Sequence, residues 1–127
     1  MKQDATLTRL TAHLLATTPY LAALQLLMCA WGWWRNDDAI LLHWLLGMVA
    51  VYWHMRLAFD QRIFTDFAQQ HYTPDEFDTC RSLLGLGKPS TTTRNLLARC
   101  QGAIRLWRRL LAVALLHALL VLWQMLL

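Results

Sequence analysis

Three histidines stand inside otherwise charge-free apolar stretches, His43 and His54 in one and His117 in another. They are the residues whose type and setting admit chemistry. Imidazole is an axial ligand of haem iron, and two facing helices can supply one each. His43 and His54 are eleven residues apart, so on a helix they share a face, as ligands of two stacked haems would. Depth argues the other way. With Arg56 and Arg109 taken as level at one membrane face, a helical rise of 1.5 Å per residue sets His54 about 3 Å inside, His117 about 12 Å and His43 about 20 Å. No two are level, so the expectation is packing histidines with no haem, no other cofactor and no metal.

Other constellations are weaker. Asp75, Glu76 and Asp78 sit where a helix begins, and there they serve as capping and dipole residues rather than acid-base groups. Gly85-Leu86-Gly87-Lys88 lacks the spacing of a phosphate-binding loop, and Pro89 follows the lysine where Ser or Thr is required. Cys80 and Cys100 are twenty residues apart, which is no zinc pattern, and would need His71 or a partner's ligands to hold a metal. The apolar stretches hold no Asp, Glu, Lys or Arg, the usual marks of an ion or proton pathway. The chain is therefore expected to be no enzyme and no transporter by itself.

Composition names the environment. Of 127 residues, 57% are hydrophobic and 16% charged, an apolar excess beyond what so short a chain buries in a water-soluble core. The net charge of +4 comes from Lys and Arg set beside apolar spans, so anionic phospholipid rather than nucleic acid is the expected partner. Three cysteines, one of them (Cys29) within an apolar run, imply no disulfide framework.

The expected fold is all-α, a single polytopic membrane domain over 1–127. Residues 1–18 carry Leu7, Leu10, Leu14 and Leu15 at helical spacing and are expected to lie along the interface. A first span at about 19–34 opens with Pro19 and closes with Trp31, Trp33 and Trp34. Trp-Trp-Arg after this run lacks the small residues of a signal-peptidase site, and Met28 before Cys29 does not suit a lipobox, so the span is expected to be retained. The polar turn 35–38 makes an antiparallel hairpin with a second span at about 39–58, whose first seventeen charge-free residues rise about 26 Å. That helix continues past Arg56 to about residue 67. Thr73-Pro74-Asp75-Glu76 reads as a capping box opening a short helix at about 74–85, stopped by Gly85 and Gly87. After the linker 88–93, capped by Thr92 or Thr93, a last helix from Arg94 carries a third span at about 109–127.

The spans show faces. Small and polar residues recur at spacings of three and four: Ala22, Gln25, Cys29 and Gly32; His43, Gly47, Ala50 and His54; Ala114, His117, Val121 and Gln124. In lipid, close approach at small residues and hydrogen bonds between polar ones hold helices together. Counting depth along each helix pairs Gln25 with His117 and His43 with Gln124. Between the second and third spans, residues 60–108 are expected to form a helical hairpin whose apolar cluster comprises Phe59, Ile63, Phe64, Phe67, Phe77, Leu83, Leu84, Leu96, Leu97, Cys100 and Ile104. Arg105, Arg108 and Arg109, at i, i+3 and i+4, are candidate lipid-headgroup contacts.

Eleven of the twelve basic residues lie in 1–18 and 56–109, against Arg35 alone in the turn. That bias puts the N-terminus and the central segment in the cytoplasm and the C-terminus outside, in what is expected to be a bacterial inner membrane. The functional expectation is a noncatalytic small membrane subunit that docks on, assembles or regulates a larger membrane protein, or associates with itself. A small haem- or quinone-associated redox protein is the alternative, and a membrane immunity or inhibitor protein is the second.

Overall fold

The computed structural model describes residues 2–87 and 96–127. The linker with Lys88, the capping Thr92 or Thr93 and the expected helix start at Arg94 lie outside the described residues. What is described is all-helical: α1 (Lys2–Leu15), α2 (Thr18–Arg35), α3 (Ile40–Ala68), α4 (Pro74–Leu83) and α5 (Leu96–Leu126). Three stretches are long and apolar enough to cross a membrane: α1 with α2, then α3, then α5.

α1 and α2 form one nearly continuous rod. The chain breaks only at residues 16 and 17, where Thr17 and Thr18 turn their hydroxyls back on the carbonyls of Leu14 and Leu15 at 2.7 Å each and Pro19 fits the first turn of α2. This joint changes the expected place of α1. Instead of standing apart along an interface, α1 packs against α3 and α5, with Leu15, Thr8 and Thr11 buried and Leu10 left outside. The two threonines can enter the core because their hydroxyls bond carbonyls of their own helix, Asp4 and Leu7, at 2.9 Å each. Trp107 Nε1 on α5 donates to Thr17 Oγ1 at 3.2 Å and pins the joint.

The core therefore needs α1. Its buried members are Leu15 from α1, Ala50, Leu57, Ile63, Phe64 and Phe67 from α3, and Cys100, Ala103 and Leu110 from α5. Of the expected cluster, Ile63, Phe64, Phe67 and Cys100 are core, and Phe77 and Leu96 pack against it. Ile104 is half-buried beside Ala103. Phe59, Leu83, Leu84 and Leu97 are exposed instead. The cause is the extra helix: α1 draws the Leu57, Phe64 and Ala103 faces inward, which rotates Phe59 and Leu97 outward.

α4 begins as its sequence dictates. Glu76 N donates to Thr73 Oγ1 at 3.3 Å and Thr73 N donates to Glu76 Oε2 at 2.7 Å, a complete capping box. The helix stops at Leu83, two residues before Gly85 takes φ +69°. Two side chains tether it. Phe77 joins an aromatic group with Phe67 and Tyr72, centroids 5.4–6.1 Å apart, and Asp78 meets Arg99 of α5 in an ion pair. Tyr72 O–H donates to Asp66 at 3.0 Å, and burial with that carboxylate pushes the phenol's pKa up.

Candidate functional site: a polar chain across three helices

All three small-and-polar stripes turn inward. Gln25, Gly32, His43, Ala50, Ala114, His117 and Gln124 are buried, and Gly47 is half-buried. Their polar members meet. Gln25 Nε2 lies 2.7 Å from His117 Nδ1, and His43 Nε2 lies 2.8 Å from Gln124 Oε1, which are the two pairings that depth counting suggested. Two further links join these pairs into one chain. His117 Nε2 is 2.7 Å from His43 Nδ1, and Gln124 Nε2 reaches both oxygens of Asp37 at 3.0 Å.

The protons can be placed by working back from the end. The Asp37 carboxylate only accepts, so the Gln124 amide nitrogen donates and its oxygen must accept from His43 Nε2–H. A neutral imidazole has one donor and one acceptor, which leaves His43 Nδ1 to accept from His117 Nε2–H. His117 Nδ1 then accepts from the Gln25 amide. A single proton arrangement satisfies every link, all donors pointing toward Asp37. At about 0.6 kcal/mol per intramembrane link, the four contribute roughly 2–3 kcal/mol.

Asp37 is the member that sequence reasoning missed, having been read as a turn residue. Its Oδ1 also accepts from Ala39 N at 3.1 Å, and Arg35 stands 3.5 Å from Oδ2. Asn36 takes the left-handed φ of 45°, which folds the turn back so that the carboxylate reaches α5. The signal available was a pair of acids, Asp37 and Asp38, before an apolar span, with a glutamine, Gln124, at the matching end of another.

The contact between His43 and His117 corrects the depth argument. Their rings lie 4.9 Å apart, although Arg56 and Arg109 taken as level would separate them by about 8 Å. The bond instead sets Arg56 opposite Ile104 and Arg109 opposite Val51. Long basic side chains reach the same aqueous boundary from different depths, so two arginines need not be level. The pairing also occupies both nitrogens of both rings, so neither histidine offers a lone pair to an iron. His54, half-buried one turn from Ala50, keeps a free Nε2. Among the described residues no group of three or more His, Cys, Asp or Glu is placed to hold a metal.

Glycine makes the pairing possible. A Cβ on Gly32 would stand 2.5 Å from His43 Cδ2 and 2.8 Å from its Cβ, and one on Gly47 would stand 2.8 Å from Cys29 Sγ. α2 and α3 thus touch at two levels near their turn. Alongside those contacts runs a half-open groove of about 560 Å³, from Trp33 and Trp44 at one end to His54 and Met55 at the other.

Arg105, Arg108 and Arg109 are exposed on the outer side of α5. No protein-family model matches this chain, and no curated protein and no solved structure matches it either.

Proposed function

We propose that this chain is a noncatalytic integral membrane subunit that docks on, assembles or regulates a larger membrane protein. Its polar chain has the chemistry of a latch, since every proton is committed to joining helices. What carries the docking reading is the row Leu83, Leu84 and Leu86, exposed at and just after the end of α4. This row lies outside the helices apolar enough to cross a membrane, and apolar area that faces water gains about 25 cal/mol per Å² when a partner buries it. α4 is tethered at its Phe77 and Asp78 side, leaving the leucines free for contact. The paired change Leu84→Asp and Leu86→Asp is expected to abolish co-purification of a partner in mild detergent while leaving the unfolding free energy within about 0.5 kcal/mol of wild type. Undiminished co-purification by the double variant would overturn the docking reading.

In the same reading the N-terminus and the segment 60–108 are cytoplasmic, in a bacterial inner membrane, and the α2–α3 turn is outside. A membrane-impermeant thiol reagent on intact cells is expected to label an Asn36→Cys variant and to miss Cys80, which is exposed and therefore a fair reporter. Labelling of Cys80 with none at position 36 would reverse the orientation.

Arg105, Arg108 and Arg109 supply the lipid contact. With Arg109 opposite Val51, these side chains must extend back along α5 to reach the boundary, where anionic headgroups pair with guanidinium. Changing all three to Gln is expected to lower the cardiolipin or phosphatidylglycerol retained through purification several-fold, as read by mass spectrometry of extracted lipid. Equal retention would remove this role.

A further inference from the structure

We infer that the groove between α2 and α3 is a binding site for an anionic phospholipid, one acyl chain lying in the groove and the phosphate meeting Arg62. The wall that a ligand touches is almost wholly apolar, with Ala22, Ala30 and Gly47 giving it depth and Met48 and Val51 exposed beside them. Its polar residues offer nothing. Gln25 and His43 commit their nitrogens to His117 and Gln124, and Gln25 Oε1 and His54 Nε2 are inaccessible. A polar ligand brought to such a wall forfeits its hydrogen bonds to water, whereas a hydrocarbon chain has none to lose.

Size selects a single chain. From the level of Trp44 to that of Met55 the groove is about 16 Å long by helical rise, which matches the roughly 15 Å that one leaflet contributes to a bilayer's hydrocarbon. Spread over that length, a volume of about 560 Å³ has a mean cross-section of roughly 35 Å², less than half the ~80 Å² of a helix about 10 Å wide. Trp33 and Trp44, in edge-to-face contact at 6.0 Å, close the far end.

Charge selects the head. Trp44, Val51, Met55 and Arg62 follow one another at spacings of seven, four and seven residues, so they share one face of the uninterrupted α3. Ala58, seven residues beyond Val51, lies on that face as well. Ala58 and Arg62 are both exposed, which leaves the way from groove to guanidinium open. A chain whose ester lies at Ala58 ends near Gly47, about 16 Å off, and Arg62 stands about 6 Å to the other side, where the phosphate follows the glycerol. Among the described residues no ion pair engages Arg62. Asp66, one turn further on, is held by Tyr72 O–H at 3.0 Å and faces His71 at 3.4 Å. The guanidinium can therefore give two parallel hydrogen bonds to a phosphate. This site is separate from the leucines of α4 and from the arginines of α5.

The test uses the full chain in phosphatidylcholine vesicles that carry a small fraction of phosphatidylglycerol with a diazirine at mid-chain. Illumination and peptide mass spectrometry are expected to find Ala30, Met48 and Val51 labelled several-fold more than Leu115 and Leu119, which are exposed on α5. A diazirine phosphatidylcholine with the same chains is expected to show no such preference. Arg62→Gln is expected to bring phosphatidylglycerol down to that level, and Val51→Trp, at an exposed wall position, to remove the groove labelling with an unchanged melting temperature. Changing Arg105, Arg108 and Arg109 to Gln is expected to leave the groove labelling as it is, so the two lipid contacts are separately visible. Even labelling of the groove and of α5 would mean ordinary boundary lipid and overturn the inference, as would equal labelling by the two lipids or an undiminished signal in Arg62→Gln. An unlabelled groove in protein that sediments as a dimer would overturn it too, and would assign the groove to a second copy of the chain.

Discussion

Phe64→Asp is expected to destabilise the protein by about 3 kcal/mol or more, whereas Leu97→Asp is expected to cost less than about 1 kcal/mol. Both were equal members of one apolar cluster as far as helical periodicity can tell. The structure separates them. Phe64 is 4% exposed, among Leu15, Ile63, Phe67 and Cys100, while Leu97 is 48% exposed. An aspartate at position 64 must either remain charged without a partner in that cluster or take up a proton, and it also forfeits the ring's contact with Phe67, now 6.2 Å between centroids. At position 97 the carboxylate stays at the surface. Reversible unfolding in mixed detergent micelles measures the difference. Equal losses in the two variants would mean that α1 does not complete this core.

The second large effect is expected at a residue with no side chain. Gly32→Ala should cost about 2–3 kcal/mol, near the upper end of what overpacking a filled site brings. The added methyl meets the His43 ring, which is 1% exposed and held at both nitrogens, so neither rotation nor retreat is available without breaking bonds to His117 and Gln124. Gly102→Ala provides the control. Nothing lies within 4 Å of a Cβ there, and exchanging glycine for alanine within a helix stabilises it by up to about 1 kcal/mol. A double change, Gly32→Ala with His43→Ala, should cost less than the two single losses added together, since the first no longer has a ring to strike. The same unfolding assay reads all four proteins. Strict additivity, or a Gly32→Ala variant as stable as wild type, would show that the helices are not held this close.

Much of this protein was legible in the residues alone because local physics sets it. Charge-free runs of membrane length give helices whatever they pack against, since in lipid the backbone must satisfy its own hydrogen bonds. Thr73 and Glu76 close their box within four residues, and Gly85 accepts a backbone that other residues avoid. The inward stripes were legible too. Polar and small residues spaced at three and four have one sensible direction in an apolar surrounding, so the residues that pair, Gln25 with His117 and His43 with Gln124, were legible as facing one another, although the level count used to match them misplaced Arg56 against Arg109.

The tertiary structure decided the rest, where several helices compete for one face. α1 has the leucine spacing of a surface-lying helix and also of a bundle helix, and only its junction at Thr17 and Thr18, which keeps it in line with α2, brings Leu15 against α3. That docking in turn chose Leu57 and Phe64 over Phe59. Relative depth was likewise beyond counting, because arginines extend to a common boundary from different levels, and so the bond between His43 and His117 emerged only from the packing. Asp37 shows the same limit at its smallest scale. Its type and position announce a turn, but its reach to Gln124 depends on how far α5 extends beside that turn, a distance that belongs to the assembled bundle and to no single segment of the chain.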